Sequence, residues 1–206
     1  GKSTLSKLIA GHLQPNGGQI TLNGRACNFR SPREALEAGV AMVMQETSLA
    51  PDLPVFENVF LPLYGSKRRA KFSELRHKTS AILAQLGVAE EIDPQDRTGD
   101  LSAAHRQLVE IARALALDAK VIIFDEPTKG IDVGAKAEIY KLILELAKQG
   151  KTILINTLEI PEIQKVADYC AVFYNGEIIK VLEHQEIDEM TVMMYSTNAA
   201  QAEEGK

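Results

Sequence analysis

The stretch Val121–Thr128, VIIFDEPT, decides how this chain is read. Four apolar residues in a row make a buried strand, and the run stops on two adjacent carboxylates, Asp125 and Glu126. In doubly wound α/β sheets, ligands bind beyond the carboxyl ends of the strands, so an acid pair at this point stands where chemistry is done. One carboxylate there can order a divalent cation while the other polarises a water. Taken alone, the pair reads more simply as two solvated acids opening a loop.

A second stretch shifts the balance. The sequence opens on GKST, Gly1–Thr4, the tail of the phosphate-binding pattern G-x-x-x-x-G-K-[ST]. It offers a lysine for phosphates and a hydroxyl for Mg2+ at the start of a helix, whose N-terminus favours anions. Phosphoryl-transfer sites need both parts, a cradle with a metal and a second carboxylate across from it. The head of the pattern does not precede Gly1, so the expectation is that the chain is an N-terminally truncated form with one or more strands missing. With about three charge-assisted amide bonds to phosphate absent, at roughly 1.5–3 kcal/mol each, these residues alone are expected to bind a phosphate-bearing ligand weakly.

Between and after these stretches, strands alternate with helices. A helix over Thr4–Ala10 ends at Gly11, and GGQITLNGRACNF reads as a hairpin around Asn23-Gly24. SPREALEAG is a short helix with Ser31 as N-cap, Pro32 at the first helical position and Gly39 beyond its end. Val40–Met44 is a buried strand that stops at Gln45, and a proline-rich loop then leads into a helix. From about Glu57 to Asp100 the pattern is mostly helical, with Leu75, Ile82, Leu83 and Leu86 as apolar positions. A helix started by Ser102 carries Leu108, Ile111 and Leu115, and after VIIF a further helix carries Ile139, Leu142, Ile143 and Leu146. Strand TILIN, helix PEIQKVADY and a hairpin around Asn175-Gly176 follow. The tail from Ser196 to Lys206 is expected to be disordered. The sum is an α/β fold: a parallel-sheet core, an inserted helical subdomain and an antiparallel β subdomain.

Composition sets outer limits. With 206 residues there is ample chain for a core, and 28 acids against 23 bases leave a net charge of −5, which argues against general nucleic-acid binding. Cys27 and Cys170 are too few for a disulfide framework and read as small apolar residues in a reducing compartment. No run approaches the length of a membrane-spanning helix and no leader is evident. The basic cluster Ser66–Lys71 reads as a solvated helix face.

The order GKST, then Gln45 after a strand, then LSAAH, then DEPT resembles the nucleotide-binding cassette of ABC transporters, from Gly1 to about Tyr195. The resemblance implies a P-loop NTPase-type fold over residues 1–195, with a helical subdomain at 57–113 that carries the signature segment. It implies ATP and Mg2+ as cofactors. Gly1 belongs to the phosphate loop, Lys2 pairs with the β- and γ-phosphates, Ser3 ligates Mg2+ and Thr4 bonds the α-phosphate. Gln45 contacts Mg2+ or the attacking water and senses the membrane subunit. Asp125 holds Mg2+ through water and Glu126 is the general base. Asp132 resembles the aspartate at the seam between two cassettes, and Ser102 is the signature serine that caps ATP held by the partner cassette.

The same resemblance implies the partners: transmembrane permease subunits, a second cassette and, indirectly, a sugar-binding protein, with the chain peripheral on the cytoplasmic face of the inner membrane. LPVFENVF, Leu53–Phe60, is expected to help dock the permease. The front half looks like the first cassette of two-cassette carbohydrate importers and KGIDVG onward like the second, so a hybrid joined near DEPT is expected. Three positions depart from the family. The signature reads LSAAHRQ rather than LSGGQ, which puts alanines where glycine lets a phosphate approach closely, and His105 replaces a glutamine. The family's switch histidine falls near Leu158, which cannot contact a γ-phosphate. Two functions therefore stand: the ATPase subunit of a sugar importer, or a half-cassette that folds and pairs without turnover. An ABC-type ATPase acting on DNA is disfavoured by the lack of long heptads and of a basic face.

Overall fold

The computed structural model describes residues 1–44, 48–64 and 71–197. Helix α1 (Lys2–Ile9) is followed by strands β1 (Ile20–Leu22) and β2 (Arg25–Cys27), helix α2 (Pro32–Glu37) and strand β3 (Val40–Val43). Helices α3 (Val55–Phe60), α4 (Phe72–Gln85) and α5 (Ala103–Ala116) come next, then strand β4 (Val121–Asp125), helix α6 (Val133–Lys148) and strand β5 (Thr152–Asn156). Helix α7 (Ile160–Val166), strands β6 (Tyr169–Tyr174) and β7 (Glu177–Glu183) and helix α8 (Glu189–Ser196) complete the described residues.

β3, β4 and β5 form a parallel sheet in that order, with Val40 beside Val121 and Val121 beside Thr152. The apolar run of β4 is explained by burial on both faces. Ile122 and Phe124 join a core with Ile111 of α5 and Ile139, Ile143 and Leu146 of α6, while Ile123 turns to the opposite face with Ala10, Phe29 and Ala35. A strand covered on both sides has no position that tolerates a polar side chain until it emerges at Asp125.

α5 packs on two neighbours. Its Ile111 and Ala114 meet the sheet, whereas Val109 and Ala112 meet a second apolar cluster built by Val55, Val59, Leu75, Leu83 and Ile92. β6 and β7 pair antiparallel and pack Cys170, Val172 and Leu182 against Ile187 and Val192. Asn23-Gly24 and Asn175-Gly176 all have positive φ, the conformation that a tight two-residue hairpin requires.

Several expectations need correction. α1 begins two residues earlier than its apolar spacing indicates, and residues 86–97 form turns rather than helix. Gly87 at φ +76 stops α4 in a conformation that costs a side-chain-bearing residue more. The helix placed over PEIQKVADY ends at Val166, because Ala167 is extended and Tyr169 already belongs to β6. α8 was not anticipated; Asp188 caps it by accepting from Thr191 N at 2.9 Å. The basic cluster through Ala70 and the tail beyond Thr197 lie outside the described residues. Of the docking stretch Leu53–Phe60, Val55, Phe56, Asn58, Val59 and Phe60 are buried, since they build the helical cluster. The exposed apolar surface next to them is carried by Leu63 and Tyr64.

Candidate functional site

α1 packs against β4 and β5, so the first turn of GKST stands at the carboxyl end of the sheet. A Cβ on Gly1 would lie 3.6 Å from Phe173 Cδ1, so the start of this helix also touches β6. Helix geometry leaves the first N–H groups of α1 without intrahelical acceptors, and no acid occupies its first turn. That is an anion-receptive terminus with Lys2 half-buried and Ser3 and Thr4 exposed beside it.

Asp125 closes β4 and is 7% exposed; its register partner is Asn156, the last residue of β5. The Asn156 amide nitrogen donates to Ser3 Oγ at 2.9 Å and also to the Asp125 carboxylate. A hydroxyl from the first helix and a carboxylate from the fourth strand are thus brought to one point, although neither touches the other in sequence. Glu126 N donates to the backbone O of Asn156 at 2.8 Å, extending the parallel ladder by one residue. Glu126 itself sits at φ +54, a left-handed backbone that is strained for a residue with a side chain. The strain turns the chain out of the sheet at the residue proposed to do acid–base work.

Among the described residues no group of three or more His, Cys, Asp or Glu could cage a metal. A hydroxyl and a carboxylate are instead what Mg2+ takes when most of its shell is water and substrate phosphate. The donor set, all hard oxygen, fits that ion, and the buried Asn156 Oδ1 beside it has no hydrogen-bond partner.

Ser102 and Asp132 stand apart from this point, each at a helix start. Ser102 Oγ accepts from His105 N at 3.1 Å and caps α5, and Asp132 Oδ1 accepts from Ala135 N at 3.0 Å and caps α6. His105 Nε2 lies 3.0 Å from Glu91 Oε2, a local contact that accounts for it without a ligand. Leu158, near which the resemblance puts the switch position, is 70% exposed. Gln45 lies outside the described residues.

Sequence reasoning missed two groups. Asn156 ends an apolar run as Asp125 does, and that shared ending was the available signal. The second group ties the segment after β5 to the end of DEPT. Thr128 Oγ1 reaches Glu159 Oε2 at 3.4 Å, Glu162 Oε2 at 3.3 Å and Tyr140 OH at 3.3 Å. Lys136 Nζ donates to Glu159 at 2.6 and 2.8 Å and lies 3.8 Å from Glu162. Burial and the hydrogen bond to Glu159 push the Glu162 carboxyl up, whereas hydrogen bonds from Glu162 and Lys136 pull Glu159 down. Burial raises the Tyr140 hydroxyl as well.

Comparison with known proteins bears on the family and the fold. The ABC transporter family matches residues 1–129. A putative ribose/galactose/methyl galactoside import ATP-binding protein of Pseudomonas fluorescens is 39% identical over 193 residues, which cover 91% of this chain and 36% of that protein. A ribose import ATP-binding protein of Streptomyces avermitilis is 36% identical over 196 residues, 93% of this chain and 37% of that one. The chain therefore spans about a third of the length of the curated relatives it matches. Among solved structures, the ADP conformation of an ATP-binding cassette of an ABC transporter aligns with a TM-score of 0.79 at 27% identity, covering 98% of this chain and 82% of that one. A dimeric post-hydrolysis cassette bound to ADP and Pi aligns at 0.76 and 25% identity, covering 89% and 81%. With a family match that spans more than half of its residues and a fold shared with those cassettes, this chain belongs to the ABC transporter family.

Proposed function

We propose that the chain is the ATP-binding subunit of a carbohydrate importer, coupling ATP binding and hydrolysis to uptake. The observation that supports this most is the meeting of Ser3, Asp125 and Asn156 at the anion-receptive end of α1. The names of the relatives, import ATP-binding proteins for ribose and for ribose, galactose and methyl galactoside, supply the substrate class.

In this reading Gly1 and Lys2 hold phosphate oxygens, Lys2 at the β- and γ-positions, and Thr4 bonds the α-phosphate. Ser3 would ligate Mg2+, Asp125 would hold it through water, and Gln45 would contact Mg2+ or the attacking water. Bound there, Mg2+ would neutralise charge on the β- and γ-phosphates. Glu126 takes the proton of a water as that water's oxygen bonds the γ-phosphorus. The bond from that phosphorus to the bridging oxygen breaks, and ADP and phosphate leave. Ser102 and Asp132 serve a second cassette facing this one, Ser102 towards the nucleotide held by the partner.

The division into a domain at 1–195 with a helical subdomain at 57–113 is part of the same proposal, supported by the separate apolar cluster around Val59 and Leu83. Permease subunits are the proposed membrane partners, with a sugar-binding protein acting through them. The chain would then sit peripherally at the cytoplasmic face of the inner membrane. Among the described residues no helix is long and apolar enough to cross a membrane.

The test is ATP turnover by the chain with and without Glu126→Gln. Phosphate release that the substitution abolishes, with nucleotide binding retained, supports the reading. Binding without turnover in either form favours a half-cassette that only pairs, and Leu158 near the switch position is the feature that would account for it.

A further inference from the structure

The hydrogen bonds of Asn156 hold an unresolved contradiction. The residue is 5% exposed, its amide nitrogen has two partners, and its amide oxygen has none. The orientation is not arbitrary, because the Asp125 carboxylate only accepts hydrogen bonds, so the amide must turn its nitrogen towards it. The structure thus satisfies Ser3 and Asp125 at the expense of a buried acceptor, and buried unmet acceptors are uncommon enough to need a cause.

A cation supplies that cause. The Asn156 nitrogen bridges the same two oxygens, Ser3 Oγ and an Asp125 carboxylate oxygen, that the proposed metal site would use. Placing a cation beside them removes the need for a donor there and creates a need for oxygen. An amide meets both demands by turning over about its last side-chain bond, which exchanges nitrogen for oxygen with almost no change of shape. The backbone of Asn156 need not move: its carbonyl accepts from Glu126 N, and its register with Asp125 belongs to the β4–β5 ladder.

We propose that Asn156 is a metal-site residue: without a cation its amide nitrogen holds Ser3 and Asp125 together, and with Mg2+ bound its Oδ1 is turned towards the ion as an additional oxygen ligand. This deepens the nucleotide-site reading given above and rests on it. An Mg2+ site of one hydroxyl and one water-bridged carboxylate would gain a neutral oxygen from the neighbouring strand, within the hard-oxygen preference of that ion.

The experiment uses the full chain with a non-hydrolysable ATP analogue at saturation and Mn2+ as the paramagnetic stand-in for Mg2+, with free and bound Mn2+ separated by electron paramagnetic resonance. Analogue binding is measured in parallel in EDTA. Asn156→Leu is expected to weaken Mn2+ binding roughly 10–100-fold, the range seen when a supporting group of a metal site is lost, and to weaken metal-free analogue binding by a clearly smaller factor. Asn156→Asp, which keeps oxygen in place, is expected to retain or tighten Mn2+ binding. If Leu is not accommodated, as judged by circular dichroism, Asn156→Ala carries the same comparison. Wild-type Mn2+ affinity in a folded Leu or Ala variant overturns the proposal. An equal loss of analogue with and without metal also overturns it, since that marks a purely structural role. Failure of the unsubstituted chain to bind the analogue in a metal-dependent way overturns the nucleotide-site reading itself, and this inference with it, before any variant is compared.

Discussion

The Glu110 carboxylate on α5 accepts from both the backbone N–H of Ser48, at 2.7 Å, and its hydroxyl, at 3.1 Å. Ser48 is the first described residue after the segment that contains Gln45, so α5, which Ser102 caps, is tied to the residue that follows that segment. Arg113 completes the tie. Its Nη1 donates to Ser48 Oγ at 2.7 Å and lies 3.3 Å from Glu110 Oε2, and its Nε donates to Asn58 O at 3.0 Å. The Glu110 side chain is 4% exposed and that of Arg113 12%, so the pair is shielded from solvent screening.

Removing one partner of a shielded pair leaves the other charge buried. Glu110→Ala should destabilise the chain by about 3–5 kcal/mol, read as a lower urea midpoint, and Glu110→Gln, which keeps an acceptor for Ser48, should cost less. A loss under about 1 kcal/mol for the alanine variant would place this pair with exposed ion pairs instead.

The raised pKa of Glu162 gives a pH dependence with a definite sign. The Glu162 pKa is raised by burial and by Glu159, so its contribution to stability is fully present below the unfolded value of 4.5 and is lost as pH rises through the higher folded value. Glu162→Gln imitates the protonated form. It should match the parent near pH 4 and exceed it in thermal midpoint at pH 7; a variant less stable than the parent at pH 7 would contradict the upward shift of Glu162.

Phe124 is fully buried between α5 and α6 on the central strand. Phe124→Ala should cost about 3–5 kcal/mol through lost burial and the cavity left behind. Because the residue next to it is Asp125, nucleotide binding should weaken with it, whereas a surface change such as Lys148→Ala on the far end of α6 should leave both measurements near the parent.

Ser102 caps its own helix in addition to any role towards a partner's nucleotide. Ser102→Ala should lose about 0.5–2 kcal/mol of stability with or without nucleotide. Ser102→Asp retains a capping oxygen and should recover that stability, yet place a charge where a partner's phosphate would approach. Nucleotide-driven dimerisation, followed by light scattering, should therefore fail in the aspartate variant even though its midpoint is restored.

The sequence by itself determined the elements whose signals are local. A buried strand shows as an unbroken apolar run, so VIIF was legible, and Ser31 with Pro32 marks the start of α2 because capping and a fixed φ act within a few residues. The two Asn-Gly turns were legible for the same reason, since the positive φ they need is a property of those residues. GKST and DEPT named the chemistry, because phosphate and metal recognition restricts which residue types can serve. Only the tertiary structure decided which distant groups meet. The register of β4 with β5 sets Asn156 beside Asp125, and the packing of α1 on that sheet brings Ser3 to the same amide. The meeting of Glu159 and Glu162 at Thr128, and the tie from Glu110 to Ser48, likewise depend on which surfaces are buried together. Periodicity assigns a residue to a strand or a helix; hydrogen-bond partners and desolvation are settled by long-range packing, which no local pattern encodes.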